Sequence, residues 1–324
     1  MRDPVSGGLP VRELLQRKEE TLALDLAGGE SGLENTIPGQ DISSAGLVLA
    51  GFTERFPAGR PQVLGETEIT YLETLDAAER ERRSVEFMQL DIPCVFLTKG
   101  QEPPPELREA AEREAVPLLR SQLGTGEFFR RVKPYLEEVF APRTSMHGSL
   151  ADVYGVGLLF VGPSGIGKSE CVLDLVERGH RLVADDVVLC SRRGNDVLIG
   201  RGHELQKHHM EIRGIGIINV RALFGIRATR QQKRVEVVVQ LEEWSEEADY
   251  DRTGLDAAET EILGVTLPKV VIPLNPGKNI TVIAEVVAMN HLLKYSGVEP
   301  ARQFNAKLQQ KMKGVREYLE EDIE

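Results

Sequence analysis

Apolar side chains at Phe128, Phe129, Val132, Tyr135, Leu136 and Val139 recur every three or four positions, the spacing that buries one face of a helix, so residues 124–140 are expected to be helical. The same rhythm predicts helices over residues 11–18, 72–88 and 104–114. Shorter apolar runs at 46–51 and 94–98 read as strands. Ala141 and Pro142 interrupt the pattern, and the residues before them, 1–140, form a first, N-terminal α/β domain.

Beyond the break the rhythm changes. Compact apolar runs at 158–161, 181–189, 234–241 and 270–274 predict strands. Between the first two, Val172, Leu173, Leu175 and Val176 mark a helix that Gly179 closes. Asn279 is placed to cap a helix carrying Ile280, Ile283, Ala284, Val287 and His291 towards Tyr295, with Gly297 as its stop. A last helix over 302–316 displays Arg302, Lys307, Lys311, Lys313 and Arg316. Strands and helices of this kind make residues 141–324 a second α/β domain of nucleotide-binding architecture.

Composition narrows the function. A chain of 324 residues, 41% hydrophobic and 28% charged, has material for two soluble domains of ordinary size. Its formal net charge of −12 opposes binding to nucleic acid or anionic membrane unless a local basic patch compensates. Cys94, Cys171 and Cys190 are widely spaced and form no paired motif, which points away from a disulfide framework or a zinc site and towards a reducing compartment. The first residues lack the apolar centre of a signal peptide, and no run approaches the ~18 apolar residues of a membrane span, so a cytoplasmic protein is expected.

The sharpest chemical signal follows the strand at 158–161. Gly162, Pro163, Ser164, Gly165, Ile166, Gly167, Lys168 and Ser169 fit G-x-x-x-x-G-K-[ST] between a strand and a helix. Such a turn aims several backbone N–H groups at one phosphate chain, while the lysine adds charge and the serine hydroxyl reaches Mg²⁺. The stretch is expected to grip polyphosphate.

Other chemistry-bearing positions surround it. Asp185 and Asp186 fall within or at the end of an apolar strand, where carboxylates need a metal, a cation or hydrogen bonds, and strand alternation directs at most one of them at the phosphates. Gly214 and Gly216 interrupt the β-branched segment 211–220. That segment is either a bulged strand with solvent-facing ends or a ligand approach in which Glu211 completes a magnesium site with Ser169. His147, in a polar loop, is either merely exposed or set to orient a carboxylate or stabilise transferring charge. Arg252 sits in a turn-rich acidic segment, either solvated or as a mobile cation that reaches phosphate. The stretch from His203 to His208 carries Lys207 where H-E-x-x-H needs histidine, and is no zinc-protease helix.

The phosphate turn, the acidic pair, the decapeptide 211–220 and the stretch from Pro273 to Lys278 ahead of a capped helix together closely resemble the bacterial HPr kinase/phosphorylase family. The likeness runs from His147 to the C-terminus, and the first 140 residues agree with the family's N-terminal domain in size and position. It implies an α/β fold: a C-terminal P-loop kinase domain, phosphoenolpyruvate carboxykinase-like, preceded by a smaller α/β domain. It also implies an enzyme that phosphorylates a serine of HPr, the carrier protein of the sugar phosphotransferase system, and reverses the reaction by phosphorolysis, releasing pyrophosphate.

On the matching positions, Gly162 through Ser169 would bind the phosphates of ATP or pyrophosphate, Lys168 would neutralise them, and Ser169 with Glu211 would serve Mg²⁺. Asp186 would accept the serine proton and return it in the reverse direction, His147 would hydrogen-bond near Asp186 or the phosphoryl oxygens, and Arg252 would help hold the transferring group. The family also implies a homo-hexamer and a C-terminal helix whose cations meet HPr; a lysine-bearing helix is otherwise a solvated face. In this chain the loop that commonly reads Pro-Val-Arg-Pro-Gly-Arg carries Asn275 and Lys278, which removes one cation and replaces a planar fork with a point charge. Weaker binding of the attacking phosphate is expected. The competing readings are a P-loop kinase of a small molecule and an ATP-binding module that transfers nothing, the latter opposed by intact Lys168, Ser169, Asp186 and Glu211.

Overall fold

The computed structural model describes residues 8–246, 258–275 and 277–321, divided into two compact units, Met1–Ala141 and Pro142–Glu324. The first contains β1 (Leu9–Pro10), α1 (Val11–Leu22), β2 (Leu24–Gly28), β3 (Thr36–Ile37), β4 (Ser43–Ser44), α2 (Gly46–Leu49), β5 (Gln62–Leu64), α3 (Glu66–Thr74), α4 (Ala77–Met88), β6 (Val95–Leu97), α5 (Pro105–Arg113), β7 (Leu118–Ser121) and α6 (Thr125–Val139). Its five-stranded sheet, ordered β2-β7-β6-β5-β4, is parallel except for β2. Side chains alternate across it. Leu64, Val95 and Leu97 pack with Leu72, Phe87 and Leu107 on one face, whereas Val63, Cys94 and Phe96 meet Leu14, Phe128 and Val132 on the other. Helices on both faces explain the central strand Val95–Leu97, which is apolar and buried at every position.

Two expectations fail in this unit. The run at 46–51 is helix α2 followed by Gly51 at φ +96, not a strand, because an apolar run this short carries no period that separates the two. The helix expected over 72–88 is broken: Leu75 turns extended, and Asp76 opens α4 by accepting the Glu79 N–H at 2.9 Å.

The second unit contains β8 (Arg143–His147), β9 (Ser149–Val153), β10 (Val156–Val161), α7 (Lys168–Glu177), β11 (Arg181–Ala184), β12 (Val187–Arg193), β13 (Val197–Gly202), β14 (His209–Ile212), β15 (Gly216–Asn219), α8 (Val220–Phe224), β16 (Gln232–Arg234), β17 (Val237–Glu243), β18 (Glu259–Ile262), β19 (Val265–Leu274), α9 (Ile280–Tyr295) and α10 (Pro300–Glu321). A six-stranded sheet, β11-β9-β10-β17-β19-β18, has a parallel centre of β10, β17 and β19. Leu158 and Phe160 of β10 pack with Val172 and Leu175 of α7 and Ala284 of α9, while Leu159 points oppositely to meet Val188, Cys190 and Leu198. Those last residues belong to a four-stranded antiparallel sheet, β16-β13-β12-β8, that covers the second face.

The chain passes between these two sheets three times, once through Val235 and Glu236 from β16 to β17 and twice at adjoining turns. Gly148 carries it from β8 to β9, and Asp185 and Asp186 carry it from β11 to β12. The strand expected over 181–189 is therefore two strands in different sheets. These two turns lie side by side, with the Gly148 N–H donating to the Asp186 carbonyl at 3.0 Å. Only glycine fits at 148, since a Cβ there would stand 2.4 Å from the Phe160 carbonyl oxygen.

Candidate active site

Strand β10 ends at the phosphate loop, and α7 begins with Lys168. Gly162, Gly165 and Gly167 have φ of +148, +78 and +103, a backbone course closed to other residues without strain. Lys168 is only 6% exposed, and its Nζ donates to the carbonyls of Gly162 at 3.0 Å and Pro163 at 2.9 Å. Among the described residues it has no carboxylate partner, so a buried cation is held across the mouth of an anion-binding turn.

Ser169, one position on, donates its hydroxyl to Asp185 Oδ1 at 3.0 Å, and the Ser149 hydroxyl donates to the same oxygen at 2.5 Å. Asp185 is 6% exposed, and burial pushes its carboxyl above the usual carboxylate range while the two hydroxyls pull the other way. This residue pair beside Ser169 is what the sequence reading missed. In the sequence Asp185 is only one of two neighbouring acids and Ser149 carries no motif; the signal present is a carboxylate closing a strand that pairs beside the phosphate loop.

Asp186 is handled differently from its neighbour. Its φ is +65 and the Val187 N–H donates to the Asp185 carbonyl at 2.8 Å, which makes it the centre of a strained γ-turn. The turn sends its carboxylate outward, with Oδ1 3.2 Å from His147 Nδ1; both side chains are 53% exposed. His147 closes β8 opposite Val187 in the register, so strand pairing sets this approach.

The segment 211–220 is a hairpin. Glu211 pairs with Ile217 across β14 and β15, and its side chain is exposed. Met210 and Ile212 are buried in the core with Cys171 and Val172 of α7, which seats the hairpin beside the phosphate loop. Arg252 lies outside the described residues, as does Pro276. Around the latter, Lys278 Nζ donates to the Pro273 carbonyl at 2.9 Å, and Asn279 caps α9 by accepting the Val282 N–H at 3.1 Å.

Helix α7 is fastened to α9 at its far end. Thr281 donates to Asp174 at 2.7 Å, and Arg178 makes two bonds to Glu285, at 3.0 and 2.8 Å, with His180 Nε2 3.1 Å from the same carboxylate. Arg178 first, then His180, holds the Glu285 carboxyl down at about 2.

Among the described residues no group of three or more His, Cys, Asp or Glu side chains could hold a metal by itself. Magnesium does not need one, since it keeps waters and takes one or two protein oxygens together with substrate phosphates. Ser169 beside a buried carboxylate that has only hydroxyl and backbone partners is a donor set that fits such an ion. Among the described residues no helix is long and apolar enough to cross a membrane.

The model of the HPr Serine kinase N terminus matches residues 9–136, and that of the HPr Serine kinase C-terminal domain matches residues 138–308. The HPr kinase/phosphorylase of Chloroherpeton thalassium is 49% identical over 273 residues, covering 84% of this chain and 80% of the relative. That of Geobacillus kaustophilus is 47% identical over 290 residues, covering 89% and 93%. Among solved structures, the Hpr(Ser) kinase/phosphatase from Coxiella burnetii matches at 33% identity and a TM-score of 0.44, over 47% of this chain and 99% of that one.

Proposed function

Because the chain belongs to the HPr serine kinase family, we propose that its phosphate loop and the Asp186 turn form one centre, which phosphorylates a serine of HPr and removes that phosphate by phosphorolysis. In the forward direction the serine hydroxyl attacks the terminal phosphoryl group of ATP or pyrophosphate. Asp186 takes the hydroxyl proton as the Oγ–P bond forms and the bond to the leaving phosphate breaks. In reverse, an oxygen of inorganic phosphate attacks the phosphoserine phosphorus, Asp186 returns the proton to the departing serine oxygen, and pyrophosphate is released. A single carboxylate serves both directions by microscopic reversibility.

The other residues hold and align. His147, with Nδ1 3.2 Å from Asp186 Oδ1, keeps the carboxylate turned towards the acceptor. Lys168 exchanges its two carbonyl partners for phosphate oxygens. Ser169 and Glu211 would hold Mg²⁺, with Asp185 fixing the serine hydroxyl. When bound, that ion neutralises charge on the phosphate oxygens. Arg252 is assigned to the transferring group. The reaction belongs in the cytoplasm, in keeping with three free, buried cysteines.

We assign a homo-hexamer to the assembled enzyme. Supporting this, Val282, Val286, Met289 and Leu293 form one exposed apolar stripe along α9. Exposed Lys307 and Lys311 on α10 are the cations offered to HPr.

The observation that carries the reading is the strained turn that presents Asp186 to His147 beside the phosphate loop. The purified chain is tested with HPr, γ-labelled ATP and Mg²⁺, followed by inorganic phosphate. Label on an HPr serine, then pyrophosphate in solution, is expected. Label that moves to a metabolite and leaves HPr unmodified would reassign the enzyme to small-molecule substrates.

A further inference from the structure

Arg213 stands at the tip of the β14–β15 hairpin, between buried Ile212 and Gly214 at φ +83. Its guanidinium lies against Gly165, in the middle of the phosphate loop. A Cβ built on that glycine would come within 2.5 Å of both Nη1 and Nη2 and 2.7 Å of Cζ. The hairpin is seated by Met210 and Ile212 in the core, so the position of Arg213 is set by a packed element. The side chain is exposed, and among the described residues it forms no ion pair.

Lys168 and Arg213 thus bracket the loop, the lysine at the carbonyls of Gly162 and Pro163 and the arginine over Gly165. Two cations, neither paired with a carboxylate among the described residues, stand against the backbone of one glycine-rich loop. A planar fork of donors at that spot matches the oxygens of a polyphosphate chain. We propose that Arg213 is a binding residue for the phosphoryl donor, clasping its phosphate chain from the side opposite Lys168. The inference rests on the polyphosphate reading of the loop and extends it to a residue that carries no part of the loop motif.

Titration calorimetry of the full chain with magnesium pyrophosphate and with MgATP, at two salt concentrations, tests it on wild type and Arg213→Ala. Loss of charge-assisted bonds is expected to weaken both ligands at least about tenfold. The salt dependence of binding should flatten, and the unfolding temperature without ligand should stay where it is, because the side chain is exposed. Wild-type affinity, tighter binding, or a loss that tracks a fall in the unliganded unfolding temperature would each overturn the proposal. If Arg213→Ala does not fold, Arg213→Gln, which also removes the charge, is read by the same criteria. Wild type that binds neither ligand would instead remove the polyphosphate reading itself.

Discussion

His147 Nδ1 and Asp186 Oδ1 stand 3.2 Å apart, and the residue after Asp186 is the register partner of His147, so one pair of strands delivers both ends of the contact. In Asp186→Asn the amide keeps the shape and loses the proton acceptor. HPr phosphorylation should fall by about 10²–10⁴-fold while the thermal shift produced by MgATP persists. His147→Ala removes only the orienting partner, and a loss of roughly 10–10²-fold in kcat at unchanged KM for ATP is expected. Transfer by Asp186→Asn at the wild-type rate would take Asp186 out of the mechanism.

Asp185 predicts a trade between stability and function. Its folded-state pKa is raised above the ordinary 3.8, chiefly by burial. The contribution of such a group is full below the unfolded value and is lost as pH rises through the folded one, so at neutral pH the ionised side chain costs stability. Asp185→Asn is expected to unfold at a higher temperature than wild type at pH 7 without ligand, and to need more Mg²⁺ for pyrophosphate binding. Scanning fluorimetry with and without Mg²⁺ measures both, and a lowered unliganded midpoint contradicts the first.

Glu285 gives the opposite sign. Its carboxyl is held at about 2, against an ordinary 4.5, by Arg178 first and His180 after it. Stability from this contact is present above the unfolded value and disappears as pH falls from about 4.5 towards 2. Glu285→Gln should lower the unfolding temperature at pH 7 by roughly 2–6 °C and show less further loss on acidification than wild type. Parallel acid titrations of the two proteins would show the effect to be absent.

A role for Asn275 and Lys278 in the reverse reaction is open to a direct test. Lys278 is turned onto the Pro273 carbonyl of its own loop, and Asn275 carries no charge. Asn275→Arg is expected to lower the phosphate concentration needed for half-maximal phosphorolysis by several-fold, with the kinase rate unaltered. An unchanged phosphate requirement would show that the loop does not set it.

What could be read from the sequence was what local pattern encodes. The strand before the phosphate loop, the amphipathic face of α7, and α9 from its Asn279 cap to Tyr295 all follow from spacing and caps within a dozen residues. The misreadings have long-range causes. Residues 181–189 look like one strand because both sheets bury their share of it, and the acidic pair at Asp185 and Asp186 marks a break in the run without announcing a change of sheet. The roles of Ser149 and Arg213 depend on neighbours distant in the chain, Asp185 and Gly165, and no spacing rule reaches that far. At Asp76 the cap was visible in the sequence but lay inside an amphipathic run that masked it.

The adjoining crossings at Gly148 and at Asp185 and Asp186 have a mechanical consequence. His147 ends a strand of the four-stranded sheet and Asp186 sits in the turn that enters it, whereas the loop from Gly162 to Ser169 follows a strand of the six-stranded one. Asp185, next to Asp186, is bonded to Ser169, so the acid, its histidine and the anion cradle are tied together where the chain changes sheet. The distance from the Asp186 carboxylate to the loop is therefore set by how the two sheets pack together, and not by either sheet alone.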